Sequence, residues 1–373
     1  MAEVALSVCG KMAAQKQFLL GILVGLTVAF VISGYHMLSQ TVVRMEPHVH
    51  PNFVGRPSGV IGDEAFQRDD HEAWDRSIER QGPGIMLDIH DEHAHHDDVS
   101  EARRLAKEVR VLVWVMTAPK NLQNKARVVR DTWGKRSNKL LFFSSETDKN
   151  FPTIGLNVSE GREHLTAKTM NGFRYVYEHH LDDADWFMKV DDDTYVIVEN
   201  LRYFLSNEDT REPVWFGHHF KTIVKQGYYS GGGGYVLSKE ALKRLYEKGS
   251  DPNVCRQDGG AEDAELGRCM ETLGVRTSNT SDVMGRSRFH CFDPETFLFG
   301  GYPDWYYQYD TNGARKGIGT MSDYSITFHY VSPEKMQALE FYIYHLNPYG
   351  IINGRQNLNR APFKSQKVQP TRR

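Results

Sequence analysis

The chain has 373 residues, of which 40% are apolar, enough to fill one large core or one core with an appendage. Its 45 basic residues are balanced by 48 acidic ones, for a net charge of −3. No basic excess is available to neutralise a phosphate backbone, which argues against nucleic acid as a partner.

Phe18 to Tyr35 contains no charged residue, and Lys11 and Lys16 stand before it. As a helix this run reaches roughly 27 Å, close to the hydrocarbon thickness of a bilayer. A core helix would show a polar face, and a cleaved signal peptide would be followed by a small-x-small site; neither pattern is present. The expectation is a spanning anchor over 18–38 behind a cytosolic tail, 1–17, because the lysines precede the span. The rest of the chain then lies in a lumen, as in a single-pass type II protein. Residues 39–104 shift to Pro, Gly, His, Asp and Glu without a sustained period, and read as a flexible stem. His90, His93, His95 and His96 invite a metal reading, but ligands on such a segment have no fixed geometry, so a solvated spacer is preferred. Residues 356–373 read as a disordered tail, leaving 105–355 for the folded domain.

The folded part opens with Val109 to Thr117, an apolar β-branched run that predicts a buried strand stopping at Ala118-Pro119. Asn121 to Trp133 has helical spacing, with Leu122, Ala126, Val129 and Trp133 on one stripe. Leu140 to Phe143 predicts a second strand, Glu163 to His180 a helix, and Trp186 to Val190 a third strand. This alternation predicts an α/β sheet, whose ligand site lies beyond the carboxyl ends of the strands.

Directly after the third strand comes Asp191-Asp192-Asp193-Thr194. Adjacent carboxylates repel unless a cation lies between them, and hard divalent ions take oxygen ligands. First and third residues of an extended segment project to one side, so Asp191 and Asp193 can share one Mg²⁺ or Mn²⁺. Such an ion would bridge the phosphates of a nucleotide sugar. Downstream, Tyr228 to Tyr235 sets four glycines between aromatics, which permits close backbone approach to a ligand, although a plain flexible turn reads the same way. A helix over Lys239 to Lys248 follows. Ala261 to Gly267 is acidic at the start of a helix, which suits the helix dipole with or without a catalytic role.

The runs VMTAPKNLQNKARVVRDTWGKRSNKLLFFSSE, ADWFMKVDDDTYVIVENLRYFL, YYSGGGGYVLSKEAL, AEDAELGRCM, SITFHYVSP and YHLNPYGI occur in this order. Together they resemble the core 1 β1,3-galactosyltransferase family, part of the larger fringe-like β1,3-glycosyltransferase group. The resemblance spans about residues 110 to 352. It implies a GT-A α/β fold and transfer of galactose from UDP-galactose, with inversion, to the 3-hydroxyl of GalNAc-α-Ser/Thr on glycoproteins. It also implies a Golgi type II membrane protein, with a homodimer and a dedicated chaperone as further candidate partners. By position, Asp191, Asp193 and His329 match the family's Mn²⁺ ligands and Asp263 its general base. Thr117, Arg127, Arg130, Lys189 and Asp192 fall in the donor site, and Tyr228, Gly232, Gly233 and Trp305 near the acceptor.

The sequence also departs from the family. Ser137 and Thr320-Met321 stand where animal members carry cysteines, which leaves Cys255 and Cys269 as the expected lumenal disulfide. Cys291 is then either a buried thiol or a link between two chains. Asn157-Val158-Ser159 and Asn279-Thr280-Ser281 are glycosylation sequons. A fringe-like enzyme with another donor or acceptor is the alternative function. A non-catalytic chaperone relative is disfavoured because it lacks the paired aspartates.

Overall fold

The computed structural model describes residues 99–346. The expected anchor, the His-rich stretch and the C-terminal tail lie outside the described residues. Among the described residues, no helix is long and apolar enough to cross a membrane.

In chain order the elements are α1 (Ser100–Glu108), β1 (Val111–Met116), α2 (Arg127–Asp131), β2 (Lys139–Ser144), β3 (Thr153–Gly155), α3 (Leu165–His180), β4 (Trp186–Asp191), β5 (Tyr195–Val196) and α4 (Val198–Leu205). Then come β6 (Val214–Gly217), β7 (His219–Phe220), β8 (Tyr228–Tyr229), β9 (Tyr235–Ser238), α5 (Lys239–Gly249), α6 (Glu262–Thr272), β10 (Arg276–Thr277), α7 (Pro294–Phe299), α8 (Tyr306–Tyr309), β11 (Thr327–Phe328) and α9 (Pro333–Tyr344).

A seven-stranded mixed sheet runs β10-β6-β9-β4-β1-β2-β3. β1 pairs in parallel with both β2 and β4, whereas β9 is antiparallel to β4 and β6. All six residues of β1 are buried, as a central parallel strand covered on both faces requires. Strand alternation divides them: Leu112, Trp114 and Met116 enter one apolar cluster, and Val111, Val113 and Val115 the other. On the first face Trp114 meets Phe143 at 5.4 Å and Phe173 of α3 at 5.1 Å, both edge-on. An aromatic of this size in a core is worth about 3–5 kcal/mol against alanine. α3, α5 and α6 pack together on that side, and α1, α2, α4 and α9 cover the other.

Two expectations need correction. Residues 100–104, assigned to the stem, are helical: α1 buries Leu105 against the second cluster and carries a Glu101–Arg104 ion pair on its exposed side. Amphipathic content too short to show a period had hidden it. The stretch from Asn121 to Trp133 is also not one helix. It is a π turn (Leu122–Ala126), then α2, then a 3-10 turn from Trp133. Its stripe of Leu122, Ala126, Val129 and Trp133 is buried as the spacing requires. The backbone is broken at Thr132, whose hydroxyl donates to Val128 O at 2.7 Å.

Candidate active site

The carboxyl end of β4 gathers the charge. Asp191 ends the strand, and a tight turn brings Asp193 back, with Thr194 N donating to Asp191 O at 3.1 Å. β5, just beyond, pairs with β11 through Tyr195 and Phe328, and this ladder delivers His329. Ligand atoms of Asp191, Asp193 and His329 lie within 4.8 Å of one another. His329 Nε2 is 3.2 Å from Asp193 Oδ1, and its Nδ1 is 3.3 Å from the Cys291 carbonyl. A carbonyl only accepts, so Nδ1 donates to it, and Nε2 is the nitrogen that faces the carboxylates. Gly232 lies so close to this ring that a Cβ there would fall 2.0 Å from His329 Cε1. Two carboxylates and an imidazole form a donor set that fits Mn²⁺ better than Ca²⁺.

Two lysines balance the cluster. Lys189 Nζ approaches Asp191 Oδ1 at 2.7 Å, in an ion pair whose angle falls outside hydrogen-bond geometry, and donates to Gly231 O at 3.2 Å. Burial works against its charge, but Asp191 and Glu262 outweigh it and push the ammonium up to about 12. Lys125 Nζ donates to Asp193 Oδ2 at 2.9 Å. Burial alone would raise the Asp193 carboxyl, yet His329 and Lys125 hold it well below the usual carboxylate range. Asp192 points elsewhere: it accepts from Thr117 Oγ1 and Asn121 Nδ2, each at 2.8 Å, and so fastens the turn to the end of β1. Burial holds its carboxyl above the ordinary value despite those donors.

Across a cavity of about 390 Å³ stands Asp263, the second residue of α6. Burial, and next the charge of Glu262, push its carboxyl up to about 6. Glu262 itself is committed to structure, accepting from Thr169 Oγ1 at 2.7 Å and Tyr235 OH at 2.6 Å. Asp263 is left as the carboxylate that can exchange a proton with a bound hydroxyl. Opposite, Trp305 is 44% exposed and meets Phe292 at 6.1 Å, while Tyr330 stacks on His329 at 4.0 Å with its backbone in the left-handed region, φ 56°.

The structure thus brings Asp191, Lys189, Gly232, Asp263, Trp305 and His329 to one cavity, with Asp193 beside it. Tyr228 and Gly233 do not line this cavity: Tyr228 is buried against Phe220, and Gly233 O accepts from Thr327 Oγ1 at 2.6 Å. Arg127 and Arg130 are turned toward Asp131, at 3.5 and 2.7 Å, and Arg130 also covers the Phe151 ring. Neither lines the cavity. Lys125, Asn121, Phe292 and Tyr330 were not singled out in the sequence. Asn121 ends a 3-10 turn and Lys125 lies in the π turn that follows it, where one amide or cation carries no pattern, and the aromatics lie in a region of irregular backbone.

Cys255 and Cys269 form a disulfide, tying the loop after α5 to α6. Cys291 is a free thiol buried within the fold. Asn157 and Asn279 are exposed.

The Fringe-like family model matches residues 106–291. Glycoprotein-N-acetylgalactosamine 3-beta-galactosyltransferase 1 of Xenopus laevis is 44% identical over 271 residues, covering 71% of this chain and 75% of that one. Human beta-1,3-glucosyltransferase is 28% identical over 188 residues, covering 50% of this chain and 37% of that one. Among solved structures, mouse xyloside xylosyltransferase 1 is 12% identical with a TM-score of 0.36, covering 59% of this chain and 97% of that one, too distant a likeness to build on. A match at 44% identity across three quarters of a relative places this chain in the Fringe-like family, among the glycoprotein-N-acetylgalactosamine 3-beta-galactosyltransferases.

Proposed function

We propose that this chain is an inverting galactosyltransferase that moves galactose from UDP-galactose to the 3-hydroxyl of GalNAc-α-Ser/Thr on glycoproteins. The observation that carries this reading is the placement of Asp263, free of competing side-chain partners, in the cavity that also holds Asp191 and His329. Inversion needs one base, opposite the leaving group, and no covalent intermediate. A carboxyl raised to about 6 is largely ionised at neutral pH yet basic enough to draw the proton from the attacking hydroxyl. As the new glycosidic bond forms, that proton passes to Asp263 and the electron pair of the old bond leaves with UDP.

Asp191, Asp193 and His329 would hold the metal, and Mn²⁺ bound there supplies positive charge to the departing diphosphate. Lys189 and Lys125 hold Asp191 and Asp193 in place through ion pairs of 2.7 and 2.9 Å. Trp305 and Phe292 offer apolar ring faces to an acceptor hexose. We read the mixed sheet as a GT-A fold, and residues 18–38 as the anchor of a Golgi type II protein whose catalytic domain is lumenal.

The test is transfer from UDP-galactose to a GalNAc-α-threonine peptide, with and without Mn²⁺. A Mn²⁺-dependent β1,3-linked disaccharide is the expected product. Transfer from UDP-GlcNAc or UDP-glucose alone would instead assign the chain another fringe-like activity.

A further inference from the structure

Arg162 stands on the 3-10 turn Arg162–His164 that leads into α3, and it lines the same cavity as Asp191, Asp263 and His329. Its backbone is braced by the loop that enters α6. Gly259 N donates to Glu163 O at 3.1 Å, Thr166 Oγ1 donates to Gly259 O at 2.7 Å, and His164 Nδ1 lies 2.9 Å from Asp258 Oδ2. The turn bearing Arg162 and the helix bearing Asp263 are therefore held in one frame.

The side chain, in contrast, is exposed, and among the described residues its guanidinium has no ion-pair partner. That matters because the other permanent cation of the cavity, Lys189, is already committed to Asp191 at 2.7 Å and Glu262 at 3.7 Å. Lys125, just outside, is likewise committed to Asp193 and Asp192. A nucleotide diphosphate entering a cavity already lined with carboxylates adds further negative charge, and Arg162 is the lining cation left to meet it. A neutral hexose offers a guanidinium no charge to pair with, whereas a planar fork matches two phosphate oxygens. We propose that Arg162 binds the diphosphate of the nucleotide-sugar donor. This rests on the nucleotide-sugar reading above.

The test is calorimetric titration of the full-length chain in detergent, with Mn²⁺ present, using UDP and, by competition, uridine. Arg162→Ala should weaken UDP binding about tenfold or more, about 1.4 kcal/mol, while uridine binding changes less than twofold. Arg162→Lys, which keeps the charge but not the fork, should recover part of the loss. Since among the described residues the side chain has no ion pair to lose, the melting temperature of each variant should match wild type; Arg162→Gln serves as a second neutral variant if the alanine form is unstable. Wild-type UDP affinity in both neutral variants would overturn the inference. So would unchanged UDP binding with a raised KM for peptides bearing acidic residues beside the acceptor site, which would assign Arg162 to the acceptor. If wild type itself binds no UDP, the nucleotide-sugar reading fails and this inference with it, an outcome distinct from wild type binding and the variants binding equally.

Discussion

Asp193 is held between a histidine and a lysine: its Oδ1 lies 3.2 Å from His329 Nε2, and its Oδ2 accepts from Lys125 Nζ at 2.9 Å. With Lys189 against Asp191 at 2.7 Å, each carboxylate of the cluster has a cationic partner from the chain itself. The site is therefore built to stand without an ion, and metal removal should stop transfer while leaving the domain folded. Chelation is expected to abolish product formation and preserve a cooperative thermal transition. Returning Mn²⁺ to about 100 times its dissociation constant should stabilise the fold by about 2.7 kcal/mol through mass action. A chain that loses its circular-dichroism signature on chelation would show the metal to be structural instead.

Gly232 tests how closely the glycine loop is fitted to the metal-facing histidine. A methyl group there would sit 2.0 Å from His329 Cε1, so Gly232→Ala must displace the ring. The expected outcome is a fall in Mn²⁺ affinity of about 10–100-fold, measured by electron paramagnetic resonance, of the size seen when a ligand's orienting contacts are lost. The double variant Gly232→Ala/His329→Ala should bind Mn²⁺ no worse than His329→Ala alone, because both act through one ring. Simple addition of the two losses would mean that Gly232 matters for another reason.

Asp263 is predicted to set both the pH dependence and part of the stability. Its carboxyl titrates near 6, so kcat/KM should rise with pH through about 6 and then level off. Asp263→Asn should abolish that dependence together with transfer, while UDP still binds. The stability effect has the opposite sign from that of a salt-bridged aspartate. A folded-state value above the unfolded one means that ionising Asp263 disfavours the fold, so its contribution is fully present below about 3.8 and lost as pH rises through about 6. The asparagine variant should therefore be more stable than wild type near pH 8, by about 1–3 kcal/mol, and equal to it near pH 3.5. Urea melts at the two pH values would decide this, and a variant less stable at pH 8 would refute the buried-charge account.

What the sequence disclosed follows from how much local pattern each element carries. β1, β2 and β4 announce themselves because a central strand buried on both faces is a continuous apolar run. The aspartates at the end of β4 are legible for the same reason, since the strand fixes where they must lie. β5, β7, β8 and β11 have two residues each, too few to show any period, yet β5 and β11 bring His329 to Asp193. No spacing rule connects positions so far apart in the chain; only the family resemblance named that histidine. The same resemblance named Arg127 and Arg130, which point at Asp131, and it passed over Lys125, which pairs with Asp193, and Arg162, which lines the cavity.

The disulfide gives a prediction that separates stability from chemistry. Cys255 and Cys269 are both buried, and they are separated by only 14 residues, so the bond closes a short loop that ends in α6, the helix that begins with Glu262 and Asp263. Closing a loop of that length is worth about 3 kcal/mol. Cys255→Ala and Cys269→Ala should each lower the melting temperature, by roughly 5–10 °C for a domain of this size. The double variant should be no less stable than either single one, because one bond is lost in all three. Activity at 25 °C should persist, since Asp263 is positioned by the first turn of α6 and the cysteine lies toward the other end. A variant that keeps its melting temperature but loses transfer would reverse this division, and would place the disulfide among the elements that align the base.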